Sequence, residues 1–229
     1  MKKLCVIPAR GGSKRIPRKN VKPFLGRPML SYSIAAARDS GLFDHIVVST
    51  DDEEIAAVAR EHGAETPFVR PAELANDQQG TDAVVVHAIT WFTAQGTKPD
   101  ATCLIYATAP LIEAERLKEG WDRLQQPGKR FAFSVTSYGF PIQRALRRTD
   151  NDGVAMFWPE NRMARSQDLE PAYHDAAQFY WGWSDAFLNG EDIFSSVAAP
   201  VILPRSHVVD IDTPEDWEKA ELTYRILKG

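Results

Sequence analysis

The segment LCVIPARGGSKRIPRKN (residues 4–20) joins a short apolar run to a loop crowded with cations. The apolar run is continuous, which is typical of a strand that is covered on both faces. Six Arg and Lys residues lie between Arg10 and Lys22, although the whole chain carries a formal net charge of −4. A first strand that ends in such a loop favours an α/β sheet with an anion site at the carboxyl ends of its strands.

Further apolar runs alternate with helical patterns along the rest of the chain. The predicted strands are residues 4–9, 45–50, 101–107, 131–136 and 197–203. Helical periodicity and capping signals predict helices over 50–64, 81–96, 113–128 and 213–229, with a capping box formed by Thr50 and Glu53. Strand–helix alternation indicates right-handed crossovers. We therefore expect a three-layer, Rossmann-like α/β fold with a mostly parallel sheet.

The alternation stops between residues 137 and 183, which are rich in Pro, Arg, Asn, Gln and aromatics. A turn signal at TDNDGV (149–154) predicts a hairpin there. At 229 residues the chain suits one domain over 1–229. Because a plain loop this long is rare in a compact domain, we expect 137–183 to be an insert that covers the site or builds a dimer.

Composition excludes several classes of protein. The mildly acidic net charge argues against a protein that binds nucleic acid over much of its surface. No apolar run approaches the length of a membrane span, and the run that stops at Pro8 is too short for a signal peptide. Cys5 and Cys103 lie inside apolar runs and are expected to be buried, reduced thiols. These features predict a soluble, cytoplasmic protein without a nucleic-acid or membrane partner.

The loop after the first strand has the residue types of an anion nest. Gly11 and Gly12 allow positive φ and close backbone approach, Ser13 adds a hydroxyl, and Arg10 and Lys14 add charge. The spacing matches neither G-x-G-x-x-G nor G-x-x-x-x-G-K-[ST], which argues against dinucleotide-binding and P-loop sites. A polyphosphate is the favoured ligand; a solvated basic loop is the alternative.

Two aspartates precede the last predicted helix in VVDIDTPEDW (208–217). In an extended segment, Asp210 and Asp212 point to the same side and can share a hard cation such as Mg²⁺. The alternative is helix capping by Asp212 or Thr213. Asp51, after the second strand, is a further candidate for substrate contact.

Three segments of the chain resemble, in the same order, segments of a known family. They are IPARGGSKRIPRKN (7–20), FDHIVVSTDDEEIAAVAREHGAE (43–65) and RPAELANDQQGTDAVV (70–85). They resemble the CMP-sugar-acid cytidylyltransferases, the family that contains CMP-sialic acid synthetase, and the similarity extends to the last helix. The resemblance implies a nucleotidyltransferase fold. It also implies transfer of CMP from CTP to the anomeric hydroxyl of a nine-carbon 2-keto sugar acid, with release of pyrophosphate.

The resemblance also implies roles for individual residues. Mg²⁺ would bind at Asp210 and Asp212. Phosphoryl transfer depends on in-line positioning and charge neutralisation, which Arg and Lys supply. The implied catalytic residues are Arg10, Lys14, Lys19 and Asp212. The implied CTP contacts are Ala9, Arg10, Gly11, Gly12, Ser13, Lys14, Asn20, Arg70 and Thr81.

On the acceptor side, Tyr106 replaces a Gln that the sialic acid enzymes tend to carry. Three segments resemble the branch of the family that acts on pseudaminic acid: FPIQRAL (140–146), WPEN (158–161) and RSQDLEPAYHDAAQFYW (165–181). Arg suits the substrate carboxylate, and Gln and aromatics suit amide and methyl groups. A homodimer is implied, with the insert of one subunit reaching the site of the other. The expected sugar-acid contacts are Tyr106, Thr108, Gln143, Arg144, Arg165, Gln167, His174, Asp175 and Gln178.

Other functions stay open at this point. The same chemistry could act on a sialic or legionaminic acid, or on 3-deoxy-manno-octulosonate. A nicotinamide-dependent dehydrogenase could use Asp51 as its ribose-binding acid, but it needs spaced glycines that the loop lacks. A non-catalytic nucleotide-binding protein is the third reading, and the intact Lys14, Lys19, Asp210 and Asp212 argue against it.

Overall fold

The computed structural model describes residues 1–75 and 80–228. Its strands are β1 Lys3–Pro8, β2 Pro23–Phe24, β3 Arg27–Pro28, β4 His45–Ser49, β5 Ala101–Ile105, β6 Phe131–Ser137, β7 Leu146–Arg148, β8 Val154–Met156, β9 Tyr173–Trp183 and β10 Ala198–Leu203. Its α-helices are α1 Leu30–Ser40, α2 Glu53–Glu61, α3 Thr81–Ala94, α4 Ala114–Leu124, α5 Ser184–Leu188 and α6 Pro214–Lys228. None of the helices in these residues combines the length and the apolarity that crossing a bilayer requires.

The central sheet has six strands in the order β10-β6-β9-β5-β1-β4. β4 and β5 run parallel to β1, and β10 runs parallel to β6. Each of the five predicted strands is present, and the prediction of a mostly parallel α/β sheet is confirmed. Parallel neighbours need long crossovers. α1 lies between β1 and β4 in the chain, α2 and α3 lie between β4 and β5, and β9 and α5 lie between β6 and β10.

Buried side chains on the two faces of the sheet form two separate clusters. Cys5 and Ile7 pack with α1, α2 and α4, whereas Leu4 and Val6 pack with α3 and α5. The strands are therefore covered on both faces, which gives the three layers that were expected. Cys5 and Cys103 are free, fully buried and neighbours across β1 and β5, and burial raises the pKa of both thiols.

A third cluster joins the cationic loop to the C-terminal helix. Phe24 makes edge-on ring contacts with Tyr32, Trp217 and Tyr224, at centroid distances of 5.4, 5.5 and 5.8 Å. Ile16 and Ile211 belong to the same buried group. This packing holds the segment that precedes α6 next to the loop that follows β1.

The sequence did not predict the short elements β2, β3 and α5, and it also missed two longer ones. β9 lies within residues 137–183 but runs antiparallel between β5 and β6 in the central sheet. α1 is buried around most of its circumference, so its sequence lacks a strong amphipathic period. The predicted hairpin is present, because β7 pairs with β8 around residues 149–153. The proposed insert thus consists of β9 and an irregular segment, 138–172, that carries this hairpin.

Candidate active site

The loop after β1 is fastened to the carboxyl end of β4. The backbone N–H of Ala9 donates to the Ser49 carbonyl over 2.9 Å, and the N–H of Gly11 donates to Asp51 Oδ1 over 3.0 Å. Both contacts lie at the edge of the sheet where ligands of open α/β sheets bind. The predicted phosphate-binding loop is therefore at the expected edge.

Asp52 connects this loop to helix α2. Arg18 donates two hydrogen bonds to its carboxylate, over 2.5 and 2.9 Å, and also contacts Glu54. Asp52 Oδ1 accepts from the backbone N–H of Ile55 over 3.0 Å and thereby caps α2. The predicted capping box of Thr50 and Glu53 is wrong, because the cap is Asp52. These contacts, the Arg18 hydrogen bond above all, lower the pKa of Asp52 to about 2.

The two glycines of the loop act differently from the prediction. Neither Gly11 nor Gly12 has a positive φ; the left-handed residue of the loop is Arg18, with φ 55°. A Cβ on Gly11 would lie 2.8 Å from Asp52 Oδ2, whereas a Cβ on Gly12 would meet nothing within 4 Å. Gly11 is therefore required for close approach to Asp52 and not for its conformational freedom.

Two of the residues predicted to contact CTP are buried and donate hydrogen bonds to atoms of the cationic loop or of the end of β4. Asn20 is buried, and its amide donates to the Arg10 carbonyl over 2.9 Å. Arg70 is buried and donates to the hydroxyl and the carbonyl of Ser49. Burial lowers the pKa of Arg70 to about 10, with Asp51 opposing the shift and Arg10 adding to it. Arg10, Asp51 and Arg70 therefore form one charged group at the end of β4.

The other predicted loop residues lie along the same turn. Ala9 is buried, Ser13 is half-buried and Lys14 is exposed. Thr81 begins helix α3. Residues 76–79, which belong to one of the resembling segments, lie outside the described residues.

The Asp-x-Asp segment faces the cationic loop. Asp212 Oδ1 lies 3.0 Å from Arg15 Nη2 and 3.5 Å from Lys19 Nζ, which also donates to the Ile211 carbonyl over 2.6 Å. Desolvation and then the Asp212 carboxylate raise the pKa of Asp210, and Lys19 partly offsets them. The loop and both aspartates are therefore close together, as the sequence predicted.

The pair fits a hard divalent cation that takes its remaining ligands from substrate and water. The donors are two carboxylates that repel one another, which a cation between them would relieve. Among the described residues there is no group of three or more His, Cys, Asp or Glu that could cage a metal by itself. The helix cap is Thr213, whose hydroxyl accepts from the N–H of Asp216 over 3.2 Å while Asp216 Oδ2 accepts from Thr213 over 2.8 Å. The Asp212 side chain is therefore not used as the cap.

A cavity of about 470 Å³ opens beside Asp210. His174 and Asp175, both predicted from the sequence, line it together with Arg205 and Lys219, which were not predicted. Arg205 follows the carboxyl end of β10, at the same edge of the sheet as the loop. The position of Arg205 after a predicted strand was the signal in the sequence that could have identified it as a site residue. Neither Arg205 nor Lys219 belongs to a motif.

Asp175 is positioned by a bulge in β9. The β6–β9 register shifts between Phe133 and Val135, and Ala177 adopts a left-handed φ of 50°. Asp175 accepts from the N–H of Ala177 over 2.8 Å and from the Tyr180 hydroxyl. Such strain is tolerated where the surrounding structure fixes it, which is common at functional sites.

Tyr106 links the two halves of the site. Its ring lies 5.6 Å from that of Tyr180, and its hydroxyl lies near the side chains of Tyr180 and Thr81. Burial raises the pKa of Tyr106. Tyr106 therefore lies between Thr81, on the predicted nucleotide side, and Tyr180, whose hydroxyl donates to Asp175 in the cavity.

Several predicted acceptor residues bind the protein's own backbone. Gln143 donates to the Glu170 carbonyl over 2.9 Å, and Arg144 donates to the Ala164 carbonyl over 2.9 Å. Gln178 is buried and donates to the His207 carbonyl over 2.6 Å. The structure does not bring these three side chains into the cavity.

The remaining predicted acceptor residues are more exposed. Gln167 lines a separate cavity of about 250 Å³ within the segment 138–172. Arg165 is exposed in the same segment, and Thr108 is half-buried in the turn after β5. None of these three lines the cavity beside Asp210.

Comparison with known proteins gives close relatives and similar folds. The chain is 47% identical over 226 residues to pseudaminic acid cytidylyltransferase of Campylobacter jejuni, covering 99% of this chain and 97% of the relative. It is 32% identical to CMP-N,N'-diacetyllegionaminic acid synthase of Legionella pneumophila, covering 96% and 95%. A solved structure of CMP:2-keto-3-deoxy-manno-octonic acid synthetase complexed with CTP aligns with a TM-score of 0.72 and 16% identity, covering 99% and 100%.

The family profile described as cytidylyltransferase matches residues 4–221, which is nearly the whole chain. The match includes the cationic loop, the bulged strand and the Asp-x-Asp segment whose geometry is given above. The resemblance found in the sequence is thereby confirmed. The chain belongs to the cytidylyltransferase family, and it is a nucleotidyltransferase enzyme.

Proposed function

We propose that the protein transfers CMP from CTP to the anomeric hydroxyl of pseudaminic acid, a nine-carbon 2-keto sugar acid, and releases pyrophosphate. The observation that carries this proposal is the contact between the cationic loop and the aspartate pair, with Lys19 Nζ 3.5 Å from Asp212. Identity of 47% to the Campylobacter jejuni enzyme supports the choice of acceptor. The legionaminic acid relative is more distant, at 32%.

In this proposal the loop binds the triphosphate. Arg10, Ser13 and Lys14 hold its oxygens, and Lys19 neutralises charge near the reacting phosphates. Asp210 and Asp212 would hold Mg²⁺, which supplies further positive charge to the phosphate oxygens when it is bound. Because nucleotidyl transfer depends on alignment and neutralisation, a rigid loop with fixed cations suits it.

The acceptor would occupy the cavity beside Asp210. The cavity volume of about 470 Å³ is in the range of small-molecule sites. Asp175 and His174 provide hydrogen-bonding groups there. The Tyr180 hydroxyl donates to Asp175, and the Tyr180 ring lies 5.6 Å from that of Tyr106. The acceptor's anomeric oxygen would attack the α-phosphorus of CTP as the bond to the leaving pyrophosphate breaks.

We also propose that residues 1–229 form one domain and that 137–183 builds a homodimer. Large apolar side chains are exposed in this segment, among them Phe140 and Met163 at 88% each, and Val154 at 68%. Contiguous exposed apolar surface marks interaction sites. Arg165 and Gln167, exposed in the same segment, would reach the acceptor site of the partner. Two buried, free cysteines support a cytoplasmic location.

An acceptor panel tests the proposed function. Purified protein is incubated with CTP and Mg²⁺, and pyrophosphate release is measured with pseudaminic, N,N'-diacetyllegionaminic and N-acetylneuraminic acids. We expect the highest kcat/KM with pseudaminic acid and no release without an acceptor. Equal or better efficiency with another acid would reject the acceptor assignment. If no pyrophosphate is released with any of the three acids, the proposed transfer of CMP to a sugar acid is wrong.

A further inference from the structure

We infer that Arg205 binds the carboxylate of the sugar acid, and that it does so within the protomer whose loop binds the nucleotide. The inference rests on the proposed function and deepens it, because it names the residue that makes a carboxylate a requirement for the acceptor. Arg144 and Arg165 were the candidates from the sequence, and the structure favours neither of them for this role within one protomer.

Arg205 is in the right place for the acceptor. It follows Pro204 at the carboxyl end of β10 and begins a single 3₁₀ turn, Arg205–His207. It lines the cavity of about 470 Å³ that also contains Asp175 and Asp210. The guanidinium therefore shares one cavity with the proposed metal-binding carboxylate, next to which the acceptor's reacting carbon must lie.

The electrostatics of the cavity require a cation for an acidic ligand. Asp175, Asp210 and Asp216 all lie on its wall, so a carboxylate that enters meets like charges. The cations on the wall are Arg205 and Lys219. Lys219 lies beside Asp216, which offsets part of its charge.

Within residues 1–75 and 80–228, no ion pair joins the Arg205 guanidinium to a carboxylate. By contrast, Arg144 donates to the carbonyls of Arg162 and Ala164, and its position is fixed by the segment it supports. Arg165 is exposed, as Arg205 is, but it lies outside this cavity. Arg205 is therefore the guanidinium whose planar fork is open to a bidentate carboxylate.

The guanidinium of Arg205 lies close to Gly139. A Cβ placed on Gly139 would lie 3.1 Å from Arg205 Nη1, so the guanidinium packs directly against the backbone of residue 139. A methyl group at this position would push the guanidinium away by a few tenths of an ångström. Gly139→Ala thus perturbs the position of Arg205 without removing its charge.

The inference is tested by steady-state kinetics with pseudaminic acid and with its carboxamide, in which the charge is absent. For Arg205→Gln we expect the KM for the acid to rise roughly 10- to 100-fold, the effect of losing a hydrogen bond to a charged group, with the KM for CTP unchanged. The wild type should discriminate strongly against the carboxamide, and Arg205→Gln should treat acid and amide nearly alike. Gly139→Ala should raise the KM for the acid by a smaller factor.

Arg225→Gln is the matched control, because Arg225 is an exposed arginine near the end of α6, outside the cavity. Its KM for the acid should equal that of the wild type. If the wild type is active and Arg205→Gln keeps both the KM and the discrimination against the amide, the inference is wrong and the proposed function stands. If the wild type transfers CMP to none of the sugar acids, the proposed function and the inference both fall.

Discussion

Of the two glycines in the cationic loop, Gly11 is the one at which a side chain would overlap a neighbouring residue. A Cβ on Gly11 would overlap Asp52 Oδ2 at 2.8 Å, whereas Gly12 has open space within 4 Å. The backbone N–H of Gly11 also binds Asp51. A side chain at position 11 would therefore displace the loop from the end of β4.

The two glycines give a matched pair of variants. Gly11→Ala should weaken CTP binding by about tenfold, because relieving an overlap of this size costs about 1–3 kcal/mol. Gly12→Ala should change the affinity by less than about twofold. Titration calorimetry with CTP measures both variants. Equal affinities for the two variants would contradict the assignment of Gly11 to close approach.

At this scale the sequence predicted residue types better than their roles. Gly11, Asn20 and Arg70 lie in or next to the cationic loop, but the side chains of Asn20 and Arg70 are buried and bind the backbone. A sequence cannot distinguish a glycine that needs a positive φ from one that needs close approach. Arg205 was missed because its function depends on a cavity formed by segments far apart in the chain.

Helix α2 and the cationic loop are joined through Asp52, which is both the helix cap and the partner of Arg18. Asp52→Asn keeps a good capping side chain but loses the negative charge. We expect this variant to be less stable at pH 7 by about 1 kcal/mol, since the Arg18 side chain is partly exposed to solvent. Chemical denaturation measures the difference.

The stability difference between the wild type and Asp52→Asn should depend on pH. The pKa of Asp52 is about 2 in the folded chain, below the ordinary value of about 4. The stability from this pair is therefore present above about pH 4 and is lost as the pH falls toward about 2. The stability difference between wild type and Asp52→Asn should shrink over that range. A constant difference from pH 7 to pH 2.5 would contradict the ion pair, and Glu61→Gln, at an exposed position on α2, is the control.

Among elements, continuous apolar runs predicted five strands of the central sheet and missed β9. Its sequence includes His174, Asp175 and Gln178, which read as site residues and hide the strand. The bulge around Ala177 explains this, because it lets polar groups point into the cavity within a buried strand. The capping box was wrong because Thr50 and Asp52 are both good caps, and only the contact with Ile55 decides between them.

For the whole molecule, the segment 138–172 presents apolar side chains that a single protomer leaves exposed. Phe140→Glu should convert a dimer into a monomer, because it places a charge in the proposed interface. Ile226→Glu is the control, since Ile226 is 84% exposed but lies on α6, outside that segment. Sedimentation equilibrium distinguishes the two states. A dimer that persists in Phe140→Glu, or a wild type that is monomeric, would contradict the proposed role of the segment.

The most direct measurement is a crystal structure of the protein with CTP and Mg²⁺. We predict phosphate oxygens in hydrogen-bond contact with the segment from Arg10 to Lys14, and the metal ion bound by Asp210 and Asp212 on the opposite side of the triphosphate. The cytidine should lie toward Arg70 and Thr81. A triphosphate bound at another edge of the sheet, with the loop and the aspartate pair in contact with solvent alone, would contradict the proposed mechanism.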